Sequence, residues 1–299
     1  MCVWKVKTCV CRNARLEVRI LFHYSPSIPL FPFSAPMWPF RHFRRNKILR
    51  EHPLADAAWR GVLHEHPILA GLAGDEARKL RELAVLFLHE KIFEPVRGLR
   101  LTEPMRLTIA VQCCLPVMNL GVDWLEGWRT VIVYPGAFVR KREQFDIAGV
   151  MHEWEEAISG EAWKLGPLIL SWADVEASGH GEGYNVAIHE IAHKLDLLNG
   201  EVDGFPPLHR GMSRQAWNEA FSTAFDDLCR RVDAGEDTAI DPYATEQPGE
   251  FFAVLSEYFF ELPDLVEAEY PPVYRQLAAF YRQDPLARMT AAETAKNVQ

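Results

Sequence analysis

Behind Asp75, apolar residues recur at Leu80, Leu83, Ala84, Phe87 and Leu88. That helical spacing predicts a helix over 75–91 with Asp75 as its N-cap. Trp217, Phe221, Ala224 and Leu228 repeat the pattern behind a capping Ser213 and predict a helix over 213–232. Val273, Leu277, Phe280 and Tyr281 predict a last helix that closes the chain. Two apolar runs read instead as strands: Thr130–Tyr134, ended by Pro135, and 167–172. The stretch 105–120 is apolar and buried, and its pattern fits helix and strand alike. Residues 233–249 are rich in Asp, Pro and Gly and read as a loop; a helix over 250–262 follows, stopped by Pro263. Few strands and many helices make this an α+β chain with a helix-rich C-terminal half.

One segment breaks the apolar rule in an informative way. Val186, Ala187, Ile188, Ile191, Ala192 and Leu195 make 186–195 apolar nearly all round, so this helix should be buried. Yet it carries His189, Glu190 and His193, the pentad H-E-x-x-H, after a loop of alternating glycines over 179–183. Residues four apart share a helix face, so both imidazoles point the same way and can hold one zinc ion. The intervening Glu190 is then placed to take a proton from a water activated by the metal. With 11 His in 299 residues, about 0.03 such pentads are expected by chance. The alternative is an ordinary amphipathic helix with polar residues on one face. Its weakness is that buried imidazoles and a buried carboxylate need partners, at about 2–7 kcal/mol for each group left without one.

A catalytic zinc takes three protein ligands and keeps one position open. A third His six residues after the second is absent, since Asn199 stands there. The remaining candidates are carboxylates on a later helix. Glu250 and Glu257 lie seven apart, near one face of an otherwise apolar segment; one can bind the metal while the other supports it, or both can face solvent. Asp196, three residues after His193, reads either as a group orienting an imidazole or as a polar surface residue. The strand 168–172 offers an edge to an extended substrate, or lies inside its sheet.

Charge and cysteines narrow the function classes. The net charge is −9. Residues 1–50 carry ten Lys/Arg and one acid, Glu17, so the remainder carries −18. An acidic body argues against direct nucleic-acid binding, and no apolar run is long enough to span a membrane. Six cysteines, with Cys113 and Cys114 adjacent in an apolar stretch, form no disulfide framework and fit a reducing compartment. Residues 1–36 mix basic residues with Phe, Pro and Ser and read as a non-native or disordered extension, with the start at Met37 and a single domain over 37–299. The basic arm 41–50 reads as a solvated, poorly ordered terminus.

The segment 185–200, the run 250–260 and the Asp284-Pro285-Leu286 string together resemble the Mlc titration factor A family of bacterial zinc metallopeptidases. The catalytic part of that family is similar to anthrax lethal factor. The resemblance covers 37–286 and implies a zincin-like fold with a small sheet, a cytoplasmic location and aminopeptidase action on peptides. It also implies binding of the Mlc repressor. It assigns the third zinc ligand to Glu250 over Glu257, and it sets Tyr243, seven residues earlier, facing the metal. Read from its neighbours alone, Tyr243 is equally a loop residue packed after Pro242. A regulatory protein that sequesters a repressor, with zinc in a structural role, is the competing reading.

Overall fold

A computed structural model describes residues 38–72, 74–136, 138–145, 151–158, 160–162 and 166–297. The sheet at its centre runs in the order β1 (Ile92–Pro95), β2 (Thr130–Tyr134), β6 (Leu168–Ser171), β5 (Gly160–Ala162). The first three strands are parallel, and β5 runs antiparallel to β6. Both runs expected as strands are present, and each is flanked by another. β6 is therefore interior, as its unbroken apolar sequence demands, and β5 takes the edge beside it. A separate antiparallel hairpin pairs β3 (Phe138–Phe145) with β4 (Met151–Ile158). The expected extension over 1–36, together with Met37, Cys2, Cys9 and Cys11, lies outside the described residues.

Helices make up most of the rest. α1 (Trp38–Glu51), α2 (Asp56–Glu65), α3 (Gly74–Glu90) and α4 (Glu103–Cys114) precede the sheet's last strands. α5 (Trp172–Ala177), α6 (Val186–Asp196), α7 (Arg214–Asp233), α8 (Pro248–Glu261), α9 (Pro263–Glu269), α10 (Pro271–Tyr281) and α11 (Pro285–Asn297) follow. The ambiguous stretch 105–120 is helical up to Cys114. Thr102 accepts from Met105 N and caps it, and Pro104 sits in the first turn, where a missing N–H costs nothing.

Four expectations need correction. Asp75 is no cap: α3 starts at Gly74, and Asp75 pairs with Arg78 inside the first turn. The helix ending at Tyr281 does not close the chain, because α11 restarts at Pro285 after a left-handed Arg282. The 233–249 loop already contains a 3-10 turn, Pro242–Thr245, and α8 begins within it at Pro248. The basic arm is not a loose terminus but α1, held by Arg41 to Glu126 at 2.8 Å and by Arg45 to Asp123, with Ile48 buried beneath.

α6 sits at the centre of the molecule, packed by α8, α4, α5, β5 and β6. Its apolar side chains are fully buried, among them Ala187, Ile188, Ile191 and Leu195. α8 is buried nearly all round as well. Phe251 and Phe252 meet Trp217 and Phe221 of α7, while Phe259 and Phe260 meet Tyr281 of α10. The two helices that carry the candidate ligands are thus fixed on every side by close-packed aromatic and aliphatic groups.

Candidate metal centre

Asn185 starts α6. Its side chain accepts from Ile188 N at 3.0 Å, and its extended backbone ends the glycine-rich loop. One turn in, His189 and His193 project from the same face, their rings 4.7 Å apart. α8 begins opposite, with Pro248 in its first turn and Glu250 beside the positive end of the helix dipole. The structure brings His189, His193 and Glu250 together. His189 Nε2 and His193 Nε2 lie 3.1 Å apart, and Glu250 Oε2 lies 3.2 Å from each.

A tetrahedral zinc with bonds of about 2.0–2.1 Å separates its donors by about 3.3–3.4 Å, so this triangle suits such an ion after a slight expansion. The chemistry of the donor set also fits. Glu257 Oε1 lies 2.7 Å from His189 Nδ1. A carboxylate only accepts, so Nδ1 holds a proton, and in the neutral ring the Nε2 lone pair faces inward. Burial pulls the His189 pKa down, but the charge of Glu257 and the hydrogen bonds to Glu250 and Glu257 lift it well above the ordinary value. Glu250 is pushed up by burial and pulled further down by both imidazoles, ending well below the usual carboxylate range. His193 is lowered, mainly by burial. The cluster favours a positive charge among its donor atoms, and a divalent cation supplies one.

Glu190 lies between the two imidazoles in sequence and is 3% exposed. Its charge bears on His189 and on Tyr243 alike. Tyr243 stands in the 3-10 turn Pro242–Thr245, where Asp241 accepts from its N–H at 2.9 Å. Its ring centroid is 6.2 Å from that of His189. Partial burial, and then the Glu250 carboxylate, push its pKa up, so the phenol stays protonated. Both described helices thus present their sequence-read candidates to one point, with Tyr243 at its side.

Glu257, left open between ligand and support, is not part of the donor triangle. It grips His189 and also accepts from Asn185 N at 2.5 Å. Neither reading of Asp196 survives. It is fully buried, Oδ2 accepts from Gly204 N at 2.8 Å, and it makes no hydrogen bond to an imidazole among the described residues. Its service is to the loop after α6. Gly204 has φ +75°, and a Cβ there would lie 2.5 Å from Pro248 O, so only glycine lets the loop lie against the first turn of α8. Trp217 Nε1 holds the same glycine's carbonyl at 3.0 Å.

Sequence reasoning passed over Glu261. It accepts from Gly179 N at 2.8 Å, Gly181 N at 2.7 Å and Asn185 Nδ2 at 2.8 Å, and so ties the glycine-rich loop to the end of α8. Gln247, also passed over, donates to Glu250 Oε1 at 3.1 Å. The available signal was the spacing: Glu250, Glu257 and Glu261 fall on one stripe of an otherwise apolar helix.

The profile of the glucose-regulated metallo-peptidase M90 family matches residues 40–282. A protein of Pectobacterium atrosepticum named Mlc titration factor A is 41% identical over 257 residues, which is 84% of this chain and 93% of that protein. The same name is carried by a Cronobacter sakazakii protein, 40% identical over 81% of this chain and 91% of its own length. A Yersinia enterocolitica protein of that name is 42% identical over 78% of this chain and 88% of its own.

Proposed function

Because the chain belongs to the glucose-regulated metallo-peptidase M90 family, we propose that it is a zinc-dependent peptidase of the aminopeptidase type, with His189, His193 and Glu250 as metal ligands and Glu190 and Tyr243 as catalytic residues. The observation that carries this reading is the triangle of 3.1 and 3.2 Å formed by two Nε2 atoms and one carboxylate oxygen. A site that only held a metal for structure would need no carboxylate between its two histidines. Glu190 is what turns a binding site into a catalytic one.

His189, His193 and Glu250 would hold the zinc ion, and the Lewis acidity it would supply there is what makes water acidic enough to be deprotonated near neutral pH. The protein's own residues do the rest. Glu190 accepts the proton of the attacking water, then delivers it to the nitrogen of the leaving amine as the peptide C–N bond breaks. The Tyr243 hydroxyl, kept protonated, donates a hydrogen bond to the carbonyl oxygen as negative charge grows there. The antiparallel strand β5, at the edge of the sheet and packed against α6, gives an extended peptide a place to pair. We place the protein in the cytoplasm: Cys113, Cys114 and Cys229 are buried thiols, which fits a reducing compartment. No helix among the described residues is long and apolar enough to cross a membrane.

The second reading is regulatory. The relatives are named Mlc titration factor A, and that name supports binding of an Mlc-like repressor beside, or instead of, peptide cleavage. One experiment separates the two. Metal content and hydrolysis of amino-acid anilides are measured with and without chelator, for the parent and for Glu190→Gln. Peptidase action requires about one zinc per chain in both proteins, hydrolysis abolished by chelator, and a rate about 10²–10⁴-fold lower in the variant. Equal rates would remove Glu190 as the base. Repressor capture by a variant that cleaves nothing would show binding without chemistry.

A further inference from the structure

The Glu257 carboxylate touches both parts that must agree for the metal to be held. Oε1 meets His189 Nδ1 at 2.7 Å, and Oε2 accepts from the backbone N–H of Asn185, the residue that caps α6, at 2.5 Å. It is 4% exposed and sits on α8, the helix that also carries Glu250. No such group serves the second imidazole: His193 Nδ1 has no hydrogen-bond partner among the described residues. Val254 stands four residues after Glu250, one helical turn on, so α8 places its supporting acid seven residues after the ligand instead.

We propose that Glu257 is a positioning residue that sets metal affinity, by fixing the His189 tautomer and by locking the start of α6 to α8 with one side chain. This rests on the zinc-peptidase reading and deepens it. The two contacts demand acceptors at both oxygens. A glutamine can accept at only one. With its oxygen toward Asn185 N–H, its amide N–H would face His189 Nδ1 and favour the wrong tautomer, placing the imidazole proton on Nε2, inside the donor triangle. With its oxygen toward His189, the amide would face the Asn185 N–H, donor against donor. An aspartate keeps two acceptors but is one methylene shorter, and reaches only one contact at full strength. His189 is therefore the pre-set ligand and His193 the adaptable one, and the order of damage on substitution follows from that asymmetry.

The test measures zinc affinity of the full-length protein by competition with a chromophoric chelator, together with the visible d–d absorption of the cobalt-substituted protein. Glu257→Gln should weaken zinc binding about 10–100-fold and alter the cobalt spectrum. Glu257→Asp should recover part of the affinity. Glu261→Gln also disturbs α8 and the Asn185 cap but does not reach His189; it should cost stability, weaken zinc binding less than Glu257→Gln does, and keep the parent's cobalt spectrum, which separates damage to α8 from a change at the imidazole. If Glu257→Gln does not fold, the aspartate variant and the Glu261 control carry the comparison alone. Equal zinc affinity and an unchanged spectrum in Glu257→Gln, or losses as large in Glu261→Gln, would overturn the positioning role while leaving the peptidase reading intact. A parent protein that binds no zinc would overturn the peptidase reading first.

Discussion

Charged residues join helices at several places among the described residues, and two of these joints work on different physics. At the α6–α8 joint, Glu250, Glu257 and Glu261 are buried, and each meets named partners: imidazoles, backbone N–H groups, an amide. At the joint of α1 with the turn Val122–Leu125 and its neighbour Glu126, Arg41 and Arg45 pair with Asp123 and Glu126, and these side chains keep between 22% and 48% of their surface exposed. The first joint sets geometry, because a buried carboxylate without its donors is costly. The second sets only an attachment that water could replace at little cost. The proposed metal site sits at the first, where position is enforced.

The contrast is broken most severely at Glu261. Removing its side chain leaves Gly179 N, Gly181 N and Asn185 Nδ2 without their acceptor in a buried region. Each orphaned donor costs about 1–3 kcal/mol, so Glu261→Ala should lose about 3 kcal/mol or more in denaturant unfolding. Protection of the Gly179 and Gly181 amides from hydrogen exchange should fall with it. A loss within 0.5 kcal/mol, the usual scale of a surface change, would mean that the loop is anchored elsewhere.

Asp196 gives a smaller effect with a definite sign. Burial raises its pKa from 3.8 to about 7, with the N–H groups of Gly204, Phe205 and Asp203 pulling the other way. Its folded pKa is therefore above the unfolded one. Asp196's contribution to stability is full below about pH 4 and is lost as pH rises toward 7. The rise corresponds to at most about 4 kcal/mol. Glu257 and Glu261 are raised as well, while Glu250 is lowered and titrates in the opposite sense. Only the difference between parent and Asp196→Asn isolates this group. Relative to the parent, the variant should be least favourable near pH 4 and gain ground up to pH 7. A flat difference across that range would show that Asp196 does not change its protonation there.

What the sequence made legible follows the same division. The pentad on α6 was readable because every element of it is local: cap, apolar ring and ligand pair fall within Asn185 to Leu195. Glu250 and Glu257 were visible as acids on an apolar helix, but which one closed the triangle with the two imidazoles depended on how α8 crosses α6, and no local pattern contains that angle. Asp196 was misread because its partner is a backbone N–H eight residues away, in a loop shaped by glycine. The basic arm was misread for a like reason. Its composition suggests a solvated tail, and the acids that hold it lie about 80 residues on. The strands β1, β3, β4 and β5 went unread, β1 and β5 being only 4 and 3 residues long. Long apolar periodicity announces itself; contacts between distant segments do not.

The smallest effect is expected at the α1 joint, and it sharpens the comparison more than the large ones do. Arg45 sits between Asp123 and Glu126, and Arg41 pairs with Glu126. Exposed pairs of this kind contribute about 0.2–1 kcal/mol. Arg45→Ala should therefore cost less than about 1 kcal/mol at low salt, and less still at 1 M salt, where the screening length falls to about 3 Å. α1 should remain docked, because Ile48 is buried under it and does not depend on salt. A loss of several kcal/mol, or one that ionic strength leaves unchanged, would place this joint in the same class as the α6–α8 joint. The division between an enforced site and a loosely fastened exterior would then fail. Zinc affinity is the companion measurement: Arg45→Ala should leave it as it is in the parent, because no contact of Arg45 leads to α6 or α8 within the described residues.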